Sequence, residues 1–328
     1  MKAIVCTEYG SPDVLQLKEV PKPTPKDDEV LVKIHAASVN AADLEILRGD
    51  WPARIGGPLR PQHKIPGSDV AGRVEAIGRS VKNFRPGDEV WGDLSHPYHY
   101  GAFTEYVCVS ENAFGMKPPS MTFEEASTYP QAGIISLQSL RDKGKVRPGQ
   151  KVLINGAGGG MGTFAVQLAK YYGAEVTGVD SASKLDMLRS IGVDHVIDYA
   201  QVDYTKSGQC YDVILDLVAY RSVFDYLRAL NPEGIFMIVG GSLKAFLQVL
   251  TLGTLISRMG SRKLGLNVYE PNNQEDLALL AELFESGDVV PVIDRRYPLR
   301  EVPEALRYLD EEPHLGKLVI TMVESSNT

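Results

Sequence analysis

A glycine-rich turn between an apolar segment and a helical segment constrains this chain more than any other feature of its sequence. Residues 151–162 read Lys-Val-Leu-Ile-Asn-Gly-Ala-Gly-Gly-Gly-Met-Gly, so a buried β-strand leads directly into the glycines. A dinucleotide pyrophosphate requires bare backbone N–H groups at a helix N-terminus, and a Cβ atom there would collide with it. The sequence therefore predicts a dinucleotide-binding turn formed by Gly156, Gly158, Gly159, Gly160, Met161 and Gly162.

Strands and helices alternate through and beyond this turn. The strands are predicted at 151–155, 175–179, 195–197, 212–216 and 235–239, and the helices at 161–172 and 183–191. The second of these helices is expected to begin at a Ser183 cap. Strands that are apolar on both faces are typical of a parallel sheet covered by helices. We therefore predict an α/β fold built on a Rossmann-type, doubly wound parallel sheet.

The part of the chain before this region has a different character. Short β-branched or apolar runs are separated by turns rich in proline and glycine, a pattern that predicts a small, mostly-β domain. Thr122 and Glu125 then have the spacing of a capping box, which marks the start of a helix. After the alternating region, helices at 276–286 and 302–309 and strands at 289–297 and 317–323 are expected to return to the first domain.

These changes in pattern predict where the domains begin and end. The expected division is 1–122 for the mostly-β domain, 123–266 for the dinucleotide-binding domain, and 267–328 for a return segment that completes the first domain. Residues 245–259 form the most apolar later stretch, which is too short to span a bilayer. We interpret that stretch as an amphipathic lid or interface helix.

The overall charge and the cysteines exclude some classes of protein. The 328 residues carry a formal net charge of -8 and no clustered basic stripe, so nucleic-acid binding is not expected. Cys6, Cys108 and Cys210 are about a hundred residues apart and form neither a disulfide framework nor a Cys-x-x-Cys site. With no signal-peptide pattern at Met1 and no membrane span, the sequence predicts a cytoplasmic protein with reduced thiols.

The residues that would choose between NAD and NADP give conflicting signals. Asp180 ends the strand after the glycine turn and could accept hydrogen bonds from an adenosine ribose, which favours NAD. Ser181 and Lys184 follow at once and could hold the 2′-phosphate of NADP. We expect NADP, with NAD as the alternative.

Several stretches, taken together in their order and spacing, resemble one family. They are Ala-Ser-Val-Asn-Ala-Ala-Asp (37–43), Pro-Gly-Ser-Asp-Val-Ala-Gly (66–72), Val-Glu-Ala-Ile-Gly (74–78), Pro-Gly-Asp-Glu-Val (86–90), Gly-Ala-Phe-Thr-Glu-Tyr (101–106) and the glycine turn. The chain resembles the medium-chain dehydrogenase/reductases, in their zinc-free quinone oxidoreductase branch, over almost its whole length. The resemblance implies a GroES-like catalytic domain, a Rossmann domain, and hydride transfer from a nicotinamide.

The resemblance also bears on metals. The zinc alcohol dehydrogenases of this superfamily hold their metal with Cys and His residues, where this chain has Asn40, Ser68 and approximately Pro130. Asp43 and Asp69 remain, and two carboxylates without a Cys/His set are a poor zinc site. We therefore expect no metal site.

Other site residues are carried over from the family position by position. Asn40 matches a residue beside the nicotinamide, where its amide could bond the carboxamide or a substrate oxygen. Lys184 and Tyr199 match residues near the 2′-phosphate, and the segment of Val239, Gly240 and Gly241 matches the one that passes the nicotinamide ring. Val218 ends the neighbouring strand at the same edge.

The sequence offers several candidates for a proton donor. The aromatic candidates lie in segments that the resemblance places near the reacting groups; they are Tyr98, His99, Tyr100 and Tyr129. Plain packing is the alternative role for each. An enone reduction would need such an acid or solvent, whereas a quinone could take its second proton from water.

Three functions are consistent with these features. The first is an NAD(P)H-dependent reductase that transfers hydride to a quinone or an α,β-unsaturated carbonyl without zinc, because such acceptors are already electron-poor. The second is an alcohol or aldehyde dehydrogenase that works without zinc, and the third a nucleotide-binding redox sensor or structural protein. The expected partner is a small electron-poor molecule, and a homodimer is expected from apolar surface at 235–239 and 245–259.

Overall fold

The structure is a computed structural model that describes residues 1–50, 54, 57–95 and 100–322. The chain divides into two compact units. Unit 1 comprises Met1–Gln131, Pro271–Glu282 and Ile293–Thr328, and unit 2 comprises Ala132–Glu270 and Leu283–Val292. Each unit has its own sheet and its own hydrophobic core.

The regular elements are numbered here in chain order. The strands are β1 (Lys2–Val5), β2 (Gln16–Glu19), β3 (Glu29–Val39), β4 (Asp69–Ile77), β5 (Glu89–Asp93), β6 (Tyr106–Ser110), β7 (Gly115–Met116), β8 (Lys151–Asn155), β9 (Glu175–Asp180), β10 (His195–Asp198), β11 (Tyr211–Asp216), β12 (Leu230–Ile238), β13 (Lys263–Leu266), β14 (Ile293–Pro298) and β15 (Lys317–Thr321). The helices are α1 (Ala41–Arg48), α2 (Phe123–Ala126), α3 (Pro130–Gln138), α4 (Gly160–Tyr171), α5 (Leu185–Ser190), α6 (Val223–Ala229), α7 (Leu243–Gln248), α8 (Thr254–Met259), α9 (Gln274–Glu285) and α10 (Val302–Glu311).

Unit 2 contains a six-stranded parallel sheet in the order β10-β9-β8-β11-β12-β13. Counted from β8, this order is 3-2-1-4-5-6, which is the arrangement of a doubly wound dinucleotide-binding sheet. The predicted Rossmann-type fold is therefore confirmed. The edge strand β13 is not expected from the sequence, because its residues Lys-Leu-Gly-Leu contain a glycine and no β-branched side chain.

The carboxyl ends of the central strands meet at one edge of this sheet. Asn155 of β8 pairs with Val179 of β9 on one side and with Asp216 of β11 on the other. The glycine turn follows Asn155 directly, so it lies between the ends of the two neighbouring strands. In open parallel sheets this is the edge, and the point of reversal in strand order, at which ligands bind.

Two predicted elements of unit 2 have different bounds. The helix predicted at 183–191 instead consists of a 3-10 turn at Ala182–Lys184 followed by α5, and the Ser183 hydroxyl bonds that of Ser181 rather than capping. The strand predicted from 289 begins only at Ile293. The amide side chain of Gln167 occupies both backbone groups of Val290, at 2.9 and 3.0 Å, so that residue cannot join a sheet.

Unit 1 contains a seven-stranded sheet in the order β14-β15-β3-β4-β5-β7, with β6 also paired to β3. The predicted mostly-β character of this region is confirmed. The long strand β3 pairs with β15 in an antiparallel register that sets Val39 opposite Leu318. The end of β3 and the start of β15 are therefore neighbours, although nearly 280 residues of chain separate them.

Residues 243–259 form one continuous helical segment in unit 2. A π-helical turn, Val249–Gly253, joins α7 to α8. Ala245 and Val249 are buried against the unit, as expected for the inner face of an amphipathic helix. Among the residues that the structure describes, no helix is long and apolar enough to cross a membrane.

Candidate functional site

The glycine turn has the shape of a cradle for an anion at the start of α4. Gly159 is the N-cap residue, so the backbone N–H groups of the first helical turn have no partner further back in the helix. A Cβ atom on Gly162 would collide with the carbonyl oxygen of Gly156, which explains why glycine is required where helix and strand approach. A Cβ on Gly158 would lie 2.7 Å from the side chain of Lys184. The turn therefore fits the pyrophosphate of a dinucleotide.

Asp180 is held against this turn by a set of hydrogen bonds. Its Oδ2 accepts from the backbone N–H of Gly158 at 2.7 Å, and its Oδ1 accepts from that of Ser181 at 2.8 Å. The Nζ of Lys184 lies 3.4 Å from Oδ1, and both charged side chains are largely buried. The chain itself therefore supplies the Asp180 carboxylate with one cation and two hydrogen-bond donors.

The other predicted nucleotide-binding residues lie at the carboxyl ends of neighbouring strands in unit 2. Tyr199 follows β10, donates its backbone N–H to the carbonyl of Asp180 at 3.2 Å, and leaves its side chain 55% exposed. Val218 follows β11 with an exposed side chain. Gly240 and Gly241 follow β12, where Gly241 forms a bridge with Ala219. The structure therefore brings these residues to the same edge as the glycine turn.

A buried carboxylate, Asp216, braces this edge and was not predicted. Its Oδ1 accepts from the side-chain amide of Asn155 at 2.8 Å and from the backbone N–H of Val218 at 3.1 Å. Its Oδ2 accepts from the hydroxyl of Tyr204 at 3.3 Å. Burial raises the pKa of Asp216, and these donors work against that rise. The network fixes the position at which the chain leaves β11 toward Val218.

In unit 1, Asn40 lies in a buried polar network at the end of β3. Its side-chain Nδ2 donates to Oδ2 of Asp69 at 2.9 Å and to the hydroxyl of Ser68 at 3.3 Å. Its Oδ1 accepts from Nζ of Lys317 at 2.6 Å. Its backbone N–H donates to Oδ2 of Asp43 at 2.8 Å, which starts α1. Asn40, Ser68 and both aspartates are expected from the sequence, whereas Lys317 is not.

The two aspartates of this network differ in how many donors they receive. Asp69 accepts from Asn40, from the Ser38 hydroxyl at 3.1 Å and from the backbone N–H of Gln131 at 3.0 Å, and these donors favour its ionised form. Burial raises its pKa, and the ammonium of Lys317 works against that rise. Burial raises the pKa of Asp43 to about 7, while the bond from the Asn40 backbone lowers it.

The predicted proton donors are less well placed. Tyr129 is fully buried, its ring lies 5.7 Å from that of Trp91, and burial raises its pKa far above the usual range. Tyr100 has a backbone φ of +48° and stacks at a tilt on His63. Tyr98 and His99 lie outside the described residues. The assignment of a proton donor stays a prediction.

The chemistry of the donor set does not fit a zinc ion. Over residues 1–50, 54, 57–95 and 100–322, no three His, Cys, Asp or Glu side chains form a group that could hold a metal. Asn40 and Ser68 are neutral oxygen and nitrogen groups, and the buried ammonium of Lys317 lies 3.5 Å from Asp69. A divalent cation beside that ammonium would be repelled by it.

Fold and site together define the class of the protein as a nucleotide-dependent oxidoreductase. The family model of the alcohol dehydrogenase GroES-like domain matches residues 26–119, and that of the zinc-binding dehydrogenases matches residues 191–320. The chain is 34% identical, over 98% of its length and 79% of the relative's, to the 2-methylene-furan-3-one reductase of Solanum lycopersicum.

Solved structures give the same result. The quinone oxidoreductase from Coxiella burnetii superposes with a TM-score of 0.88 at 28% identity, covering 98% of this chain and 99% of that one. The quinone oxidoreductase of Escherichia coli complexed with NADPH superposes with a TM-score of 0.86 at 25% identity, covering 98% and 100%. This chain belongs to the medium-chain dehydrogenase/reductase superfamily, in its quinone oxidoreductase branch. It is an NAD(P)H-dependent oxidoreductase.

Proposed function

We propose that the protein reduces a quinone or an α,β-unsaturated carbonyl with NADPH and without zinc. The observation that carries this proposal is the glycine turn at the start of α4, where a Cβ on Gly162 would collide with the carbonyl oxygen of Gly156. The nicotinamide supplies the hydride when the cofactor is bound. The chain's own residues then bind and orient the cofactor and the acceptor. Gly160 and Met161, in the first turn of α4, offer backbone N–H groups to the pyrophosphate, and Asn40 offers its amide to an oxygen.

The test of this activity is NADPH oxidation, followed at 340 nm, with 1,4-naphthoquinone and with a small enone as acceptors. We expect turnover with at least one of them and none with simple alcohols plus NADP, which would set aside the alcohol dehydrogenase alternative. Turnover of alcohols alone would refute the proposed direction and substrate class.

NADPH is favoured over NADH because two hydrogen-bond donors and a lysine already balance the negative charge of Asp180. A free carboxylate at this strand end repels a 2′-phosphate. Here that carboxylate already receives Gly158 N–H, Ser181 N–H and the Lys184 ammonium, so less negative charge is left to face a phosphate. Lys184 adds a cation at the same place, and the exposed Tyr199 ring lies after the adjacent strand.

Binding titrations of the protein with NADPH and with NADH, followed by nicotinamide fluorescence, test this preference. We expect Lys184→Met to weaken NADPH binding roughly tenfold while NADH changes little, because only the phosphate needs the cation. Lys206→Met, at an exposed lysine of the same unit, is the matched control. Equal losses for both cofactors would show that Lys184 serves the fold and not the phosphate.

Independence from zinc is supported by the unsuitable donor set around Asn40 and Ser68. We expect the purified protein to contain well under one zinc per chain and to keep its full rate after dialysis against a chelator. Elemental analysis by mass spectrometry, run beside the rate measurement, gives both results on one sample. A stoichiometric zinc ion whose removal abolishes the rate would contradict the proposal.

A second copy of the chain is the proposed partner for an apolar stripe on unit 2. The stripe consists of Leu243, Leu247, Leu250, Leu255 and Met259, which are between 49% and 81% exposed. The wide π-helical turn between α7 and α8 keeps them on the face opposite the buried residues. α8 packs against β13, and β13 has β12 as its partner at the edge of the described sheet. An open edge beside an apolar face is typical of an interface.

Sedimentation velocity at micromolar concentration tests the homodimer. We expect a dimer for the wild type and a monomer for the double variant Leu250→Glu, Leu255→Glu. Leu59→Glu, at a highly exposed leucine of unit 1, is the control and should stay dimeric. A monomeric wild type would rule out this partner.

A cytoplasmic location is proposed from the thiols. Cys6, Cys108 and Cys210 are all free, as is usual in a reducing compartment. Fractionation of cells that express the protein, with an antibody against it, tests this location. Recovery in an organelle fraction would contradict it.

A further inference from the structure

Lys317 lies at the centre of the Asn40 network. Because Val39 pairs with Leu318, the register of β3 and β15 brings Lys317 beside Asn40. The lysine is 1% exposed, and its Nζ lies 2.6 Å from Oδ1 of Asn40, 3.2 Å from the carbonyl oxygen of Val39 and 3.5 Å from Oδ2 of Asp69. An ammonium has three hydrogens and no acceptor, so each hydrogen has an oxygen as its neighbour.

These neighbours allow the Asn40 amide one orientation. Its oxygen faces an ammonium that can only donate, and its nitrogen faces the carboxylate of Asp69, which can only accept while ionised. Turning the amide by 180° would set N–H against ammonium and oxygen against carboxylate. The hydrogen-bond network is the basis on which amide orientation is assigned, and this one is unambiguous.

We propose that Lys317 is a positioning residue that makes Asn40 present a hydrogen-bond donor, and not an acceptor, to a bound ligand. One amide hydrogen is committed to Asp69 at 2.9 Å. The other is held by the Ser68 hydroxyl at 3.3 Å, which is longer than the usual range for such bonds, so a ligand oxygen can displace that contact. The ligand group selected is a carbonyl oxygen, as in a quinone, an enone or the nicotinamide carboxamide.

The same ammonium keeps Asp69 in the state that this orientation needs. Asp69 faces Lys317 from β15, Asp43 from α1 and Asp93 from β5, so one cation opposes the repulsion of two further carboxyl groups. Without the cation, the pKa of Asp69 would rise further, and its carboxyl group would hold a proton at neutral pH. A protonated Asp69 donates, which would favour the turned amide and point its oxygen toward the ligand.

The experiment compares three variants. Lys317→Met removes the charge at similar length, and Lys317→Arg keeps a charge. Lys117→Met is the matched control, because Lys117 is also a buried lysine of unit 1, with its Nζ 2.8 Å from the carbonyl of Pro118 and 3.1 Å from Glu89, away from Asn40. Thermal unfolding of all variants shows how much each substitution disturbs the fold.

The first readout is the pH profile of kcat/KM for 1,4-naphthoquinone. We expect Lys317→Met to lose roughly 10- to 100-fold at pH 7 and to recover part of that loss as the pH rises and Asp69 ionises again. We expect Lys317→Arg to retain more activity than the methionine variant, and Lys117→Met to keep the wild-type profile. A loss that is the same at every pH, or is shared by Lys117→Met, would overturn the proposal.

The second readout needs neither turnover nor a variant of the lysine. In protein labelled with ¹⁵N-asparagine, the side-chain amide of Asn40 is assigned by its absence in Asn40→Ser. Adding 1,4-naphthoquinone without NADPH should shift one of its two proton signals strongly and leave the other, bound to Asp69, nearly unchanged. Equal shifts of both, or of neither, would overturn the proposal. This inference rests on the proposed reductase function, but a wild type with no turnover would refute that function alone and leave the amide signals to decide the orientation.

Discussion

At the scale of single residues, Asp43 shows how a helix cap and a titration are linked. Its carboxyl group accepts the backbone N–H of Asn40 and is 2% exposed. Burial raises the pKa of Asp43 to about 7, so the folded protein binds a proton that the unfolded chain has released above pH 4. By linkage, this residue destabilises the fold progressively as the pH rises from about 4 to about 7.

The replacement Asp43→Asn should therefore make stability less dependent on pH. An asparagine oxygen can still accept the Asn40 N–H but never ionises. We expect the variant to be less stable than, or equal to, the wild type near pH 4, and to lose less stability than the wild type between pH 4 and pH 7. Urea unfolding at several pH values measures this difference. Parallel curves for the two proteins would show that Asp43 does not titrate in this window.

The sequence could predict the placement of residues that belong to a local pattern. The glycine turn, Asp180 and Lys184 lie within thirty residues of one another, and their strand–turn–helix context is visible in the sequence. The contact between Lys317 and Asn40 could not be predicted in this way, because it depends on the register of β15 against β3. In the sequence Lys317 is one lysine before an apolar strand, a pattern that by itself indicates only a strand end.

At the scale of elements, the Gln167 side chain supplies hydrogen bonds that a neighbouring strand would otherwise supply to Val290. Gln167 on α4 bonds both backbone groups of Val290, which explains why β14 begins later than its apolar sequence suggests. Backbone polar groups that do not pair in a sheet need other partners, and the sequence does not show when a side chain supplies them. The unpredicted strand β13 is the opposite case, since its pairing with β12 overrides a weak β propensity.

The variant Gln167→Leu should show how much the two hydrogen bonds from the Gln167 side chain to Val290 stabilise the fold. The N–H and C=O of Val290 would both lose a partner, so we expect a loss of about 1–3 kcal/mol in the free energy of unfolding. Chemical denaturation, compared with Gln201→Leu at an exposed glutamine of the same unit, measures it. A loss no larger than that of the control would mean that water satisfies Val290 equally well.

At the scale of the whole molecule, the two units use the chain differently. Unit 2 is built mainly from one continuous segment, whereas unit 1 takes strands from both ends of the sequence. The central strand β3 is enclosed by β15 on one side and by β4 on the other. Unit 1 therefore depends on residues that lie beyond all of unit 2 along the chain.

A chain that stops after Glu312 should separate the properties of the two units. It lacks β15, so we expect unit 1 to be cut rapidly in limited proteolysis, because β3 loses a neighbour and its core loses Leu318 and Ile320. Unit 2 should resist proteolysis and still quench or enhance nicotinamide fluorescence on binding NADPH. Loss of NADPH binding in the shortened chain would show that the glycine turn does not act within unit 2 alone.

The late position of β15 has a consequence for protein synthesis. A ribosome makes the glycine turn and every strand of the parallel sheet before it makes Lys317. During synthesis, the glycine turn is therefore complete before Asn40 can acquire its bond to Lys317. We expect the part of the chain that holds the cofactor to be able to form before the part that contacts the acceptor.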